Sequence, residues 1–118
     1  MILLVSFAGS GLLIAALAIP LALGNVPPNP WYGVRVRATR KDPRVWYYVN
    51  TRSGRDQISV GVINLVVPIA LYYTAGLTET AYTYSCIGVL FASLGIMMAR
   101  AMRYTRIATT RFDAVGGQ

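Results

Sequence analysis

Histidine is absent from this chain, cysteine occurs once, and only four side chains are acidic: Asp42, Asp56, Glu79 and Asp113. Each shortage removes a class of chemistry. Zinc and iron sites are built from clustered His, Cys, Asp and Glu, and these scattered ligands make no such set. Acid–base catalysis wants paired carboxylates or a histidine, and a serine or cysteine nucleophile wants a base beside it. Neither arrangement is present, so the sequence reads as a non-catalytic protein with no metal and no cofactor. The single Cys86 has no second cysteine to bond, and within an apolar stretch it reads as a small packing residue.

Charge is missing from long stretches as well. Met1 to Val34 carries no charged side chain, and Gln57 to Ala99 carries only Glu79. A bilayer core of about 30 Å takes roughly 20 helical residues, so the first stretch fits one span and the second fits two joined by a short turn. The expected fold is an all-α membrane protein forming one domain over residues 1–118, with transmembrane helices near 2–23, 57–75 and 81–101. Ala16-Leu17-Ala18 has the look of a signal-peptide cleavage site. No Lys or Arg precedes it, however, and the apolar run continues to Leu23, which favours a retained span.

What the spans lack, the loop over 24–56 and the tail over 102–118 supply. Seven basic residues stand between the first two spans, from Arg35 to Arg55, and Arg100 at the end of the third is followed by Arg103, Arg106 and Arg111. All eleven fall on one side of the membrane. The positive-inside rule makes that side the cytoplasm, with the N-terminus and the turn near Glu79 outside and the C-terminus inside. A net charge of +7 is then a topological signal. It implies attraction to anionic lipid headgroups, about 1 kcal/mol per Lys or Arg, and does not call for a nucleic acid.

Two spans carry seams of small residues. Gly11, Ala15 and Ala18 in the first, and Gly88, Ala92 and Gly95 in the third, recur at spacings of three and four. Such seams let helix backbones approach closely where lipid removes the hydrophobic drive. Both helices run in the same direction, so the expectation is a parallel, in-register pair of the first and third. In the second span Pro68 frees the carbonyl of Asn64, so a kinked helix is expected, with the polar Asn64 at membrane depth facing the bundle.

The loop has its own punctuation. Asp42-Pro43 is a helix start and Gly54 a plausible stop, so a short helix near 43–53 is expected to lie in the interface, with Val45, Trp46 and Val49 sharing a face. Before it, Pro27, Pro28 and Pro30 impose an extended path, and Gly33 permits a turn.

The order of these residues resembles the motif of the SdpI-like family of small bacterial membrane proteins. The positions that carry the resemblance are Pro27, Pro28, Asn29, Tyr32, Gly33, Arg35, Thr39, Trp46, Asn50 and Gly54. Two positions depart from the family pattern: Val36-Arg37 stands where Thr-Pro is usual, and Thr51 where an Arg is usual. The resemblance implies a multi-span protein of the bacterial plasma membrane, related to immunity factors that protect a producing cell from a secreted, membrane-attacking peptide. Its motif residues would be either the scaffold of the loop or a contact for a peptide toxin. The alternative from a different class is an accessory structural subunit of a larger membrane complex, respiratory, photosynthetic or transporting.

Overall fold

The described residues form four helices: α1 (Ile2–Ala22), α2 (Arg37–Lys41), α3 (Pro43–Thr74) and α4 (Glu79–Gly116). The computed structural model describes residues 1–29, 33, 37–74 and 76–116, the side chains of 38 and 113–116 excepted. Among these residues there is no strand, and α1, α3 and α4 are each long and apolar enough to cross a membrane. The all-α, three-span architecture legible in the sequence is therefore the one observed.

Local chemistry sets the helix ends. After α1 the Gly24 N–H donates to Leu21 O and the Asn25 N–H to Pro20 O. Gly24 at φ +73° adopts the left-handed conformation that this double-bonded C-terminal cap requires. Pro20 sits in the last turn, near the membrane-span end, where a breaker in a transmembrane helix is tolerated. At the start of α3, Asp42 caps as expected, its Oδ1 accepting the Arg44 N–H at 2.9 Å ahead of Pro43 in the first turn. The Arg44 guanidinium closes on the same carboxylate at 3.0 Å and holds its pKa below the usual carboxylate value. Gly76 at φ +60° lies in the turn that leads into α4. There the Thr78 hydroxyl accepts the Ala81 N–H.

Two expectations are corrected. The helix near 43–53 exists, yet it does not lie apart in the interface. It forms the first turns of α3, which continues without interruption through Gly54 and the second span. Gly54 is no stop, because it serves a close approach. A Cβ there would stand 2.6 Å from the Ala22 backbone nitrogen, so the glycine lets α3 touch the end of α1. The tail is helical too, as the continuation of α4 to Gly116.

The second correction concerns pairing. The seam of α1 packs against α3, antiparallel, and not against the third span. Gly11 faces the Asn64–Leu65 peptide, and Gly61 faces Ala15 N and Gly11 O, a Cβ on Gly61 lying 2.5 Å and 2.7 Å from them. Ala18 is fully buried and Ala15 partly so. Gly88 and Gly95 have open space around them, and with Ala92 they lie on the exposed side of α4. The reason is steric: α3 offers its own small residues, Gly54 and Gly61, two turns apart on one face, and a glycine-bearing face admits another backbone more closely than any other surface here.

α4 joins α3 through polar groups. Asn64 is 4% exposed, and its Nδ2 donates to Val60 O and to Ser93 Oγ at 2.9 Å, as a bundle-facing amide should. Tyr82 Oη donates to Pro68 O. Phe7 of α1 packs edge-on against Tyr82, ring centres 6.2 Å apart. Beyond the spans α3 and α4 continue side by side around a small apolar core of Val45, Val49 and Ala108, flanked by Tyr48, Tyr104 and Phe112. The molecule is a rod, 61 × 22 × 19 Å.

Candidate functional site

Trp46, Asn50 and Gly54 stand four residues apart, so one face of α3 carries all three. That face receives the segment that follows α1. The Trp46 indole, wholly buried, donates from Nε1 to Val26 O at 2.8 Å, across twenty residues of chain. Asn50 Nδ2 donates to Trp46 O at 3.0 Å, and the side chain is 2% exposed. Gly33, at φ +103°, leaves room for both: a Cβ would lie 2.7 Å from Asn50 Oδ1 and 3.3 Å from the Trp46 ring. One turn on, Gly54 meets Ala22, and beyond it Gln57 donates to Ile14 O. The motif is thus a clasp that ties the segment after α1 to the base of α3.

Other motif residues fit the clasp in different ways. Thr39 is wholly buried in α2, while Asn29 folds its amide onto Pro27 O at 2.9 Å. Pro27 and Pro28 are exposed. Tyr32 and Arg35 lie outside the described residues.

Beside the clasp, at the end of the rod that carries the arginines, sits a cationic surface. The Arg52 guanidinium lies 3.6 Å above the Tyr48 ring. Arg100 Nε donates to Asp56 Oδ2 at 2.8 Å and its Nη2 to Tyr104 Oη, which in turn donates to Asp56. Arg44 stacks over Phe112 at 5.1 Å. Such stacking keeps a guanidinium in place while its remaining N–H donors stay available. These pairings were not singled out from sequence, although Tyr48/Arg52 and Arg100/Tyr104 each have the four-residue spacing that places two side chains on one helix face.

The opposite end of the rod holds an apolar cleft of about 670 Å³, walled by Leu3, Leu71, Tyr72, Leu77 and Tyr82 with Glu79 at its edge. No ion pair joins Glu79 to another described residue. The packing residues of α1 and the motif residues of α3 meet along one α3 face, whereas Gly88, Ala92 and Gly95 stand away from it. Among the described residues no three His, Cys, Asp or Glu gather as metal ligands.

Residues 25–104 match the family model described as the SdpI/YfhL protein family. No curated protein and no solved structure matches the chain.

Proposed function

With that match covering more than half of its length, the chain belongs to the SdpI/YfhL protein family, and we propose that it is a non-catalytic protein of the bacterial plasma membrane that shields its cell from a membrane-active peptide. The observation that carries this reading is the family match, which spans the motif, α3 and α4 as far as residue 104. The arginine-bearing end is cytoplasmic in this proposal, by the positive-inside rule. The cleft beside Glu79 then faces the side from which a secreted peptide arrives, and its apolar walls with one carboxylate suit an apolar segment bearing a positive charge.

The test is survival. A sensitive strain expressing the protein should outlive its empty-vector control under challenge with a membrane-active peptide produced by a neighbouring strain, and equal killing would remove the protective reading. Extraction in mild detergent, followed by a native gel and mass spectrometry, addresses the other class of function. A free small species fits protection, and stoichiometric co-purification with a large assembly would make the chain an accessory subunit.

A further inference from the structure

Where α3 and α4 leave the apolar spans, the groove between them changes character within one turn. Its polar half, about 150 Å³, is walled by Tyr48, Arg52, Arg100, Arg103 and Tyr104. Its apolar half, about 260 Å³, runs between Val60 and Ile63 of α3 and Ile96 and Met97 of α4. Arg100 lines both, so the two halves adjoin at that residue. The apolar positions lie roughly one to three turns toward the middle of the spans, because α3 runs into the membrane from Arg52 to Ile63 and α4 runs out of it from Ile96 to Arg103.

The charges in the polar half do not cancel. Three guanidiniums meet one carboxylate, Asp56, which is taken up by Arg100 and Tyr104 at 2.8 Å and 2.9 Å. Arg52 rests on Tyr48 with one Nη donating to Tyr48 O at 3.3 Å, and Arg103 is exposed and joins no described carboxylate. Planar guanidiniums recognise phosphate oxygens through charge-assisted hydrogen bonds. A ligand that satisfies both halves has an anionic phosphate at the level of Arg100 and a hydrocarbon chain pointing toward the membrane midplane.

We propose that the groove between α3 and α4 is a binding site for one anionic glycerophospholipid, its phosphate held by Arg52, Arg100 and Arg103 and an acyl chain lying between Ile63 and Ile96. The excess positive charge selects a headgroup without an amine. A zwitterionic lipid would bring a second cation against the arginines.

The experiment uses the full-length protein purified in a non-ionic detergent and titrated with phosphatidylglycerol, phosphatidylcholine or inorganic phosphate, with bound ligand counted by native mass spectrometry. One phosphatidylglycerol should bind per chain, with phosphatidylcholine weaker and phosphate unable to compete it off. Arg52→Gln with Arg103→Gln should weaken phosphatidylglycerol about thirtyfold, since each removes one cation at the headgroup level. Arg103→Gln alone, at an exposed site, guards against loss of fold and should give part of that loss. Ile96→Trp, which fills the apolar slot, should weaken the lipid too. Equal binding of both lipids, or variants that bind like the parent, would overturn the site. Competition by inorganic phosphate at lipid concentration would overturn the lipid assignment and leave a soluble anion as the ligand.

Discussion

Trp46 shows how much a single side chain can hold in so thin a molecule. Its ring is fully buried and its N–H satisfies the Val26 carbonyl, which belongs to a segment with no helix of its own. Trp46→Phe keeps most of the apolar contact and orphans that carbonyl, so it should cost about 1–3 kcal/mol, read by SDS-titration unfolding in mixed micelles. Ser53 behaves in the opposite sense. Its hydroxyl is buried without a partner among the described residues, so Ser53→Ala should leave the same titration unchanged or move it about 1 kcal/mol toward stability. The sequence marked Trp46 and Asn50 as significant, but not what they touch, because Val26 and Gly33 are brought to them by tertiary folding that no local pattern encodes. The pairings of Tyr48 with Arg52 and of Tyr104 with Arg100 and Asp56 passed without notice for a related reason: an aromatic beside a cation becomes informative only when a second helix closes over it.

Among the elements, the lesson is in the partner and not in the seam. Small residues on α1 were readable as a packing face, and Gly11, Ala15 and Ala18 lie on it. Their partner was not, because Gly54 resembled a helix stop and Gly61 was masked by its Val neighbours, so the complementary face of α3 went unread. The pairing makes an asymmetric prediction. Gly11→Leu drives a side chain into the Asn64–Leu65 backbone and should lower the unfolding midpoint markedly, by overpacking of about 1–3 kcal/mol or more. Gly95→Leu enters open space and should not. The start of α3 carries a pH dependence. Arg44 holds the Asp42 carboxyl below its ordinary value, so the cap contributes above the unfolded-state pKa and loses its contribution as pH falls through the depressed folded value. Amide exchange in the first turn of α3 should quicken on acidification below the usual carboxylate range, and Asp42→Asn, which retains an acceptor, should flatten that response.

For the molecule as a whole, length is the telling quantity. A rod of 61 Å is about twice the roughly 30 Å of a bilayer core, so much of it stands outside the hydrocarbon. That the spans exist was plain from the missing charges. That their helices continue past the membrane was not, because polar composition reads equally well as a loop when nothing shows Val45 and Val49 meeting Ala108 from the far end of the chain. With three spans the ends lie on opposite faces. A single cysteine placed at Leu77 in a Cys86→Ala background should react with a membrane-impermeant maleimide on intact cells, and one placed at Arg111 only after lysis. The reverse pattern would invert the topology and with it the direction in which the cleft opens.

Because α3 is one continuous helix, Leu71 in the wall of the cleft and Trp46 in the clasp are joined across about 38 Å at 1.5 Å per residue, with Pro68 removing one ladder hydrogen bond near the cleft end. Such a shaft works as a lever. Anything that wedges the cleft and tips the helix by a few degrees must swing its far end by a few ångströms, roughly the shift that helix motions use in signalling proteins. A disturbance at the cleft end would then register as displacement at the clasp end.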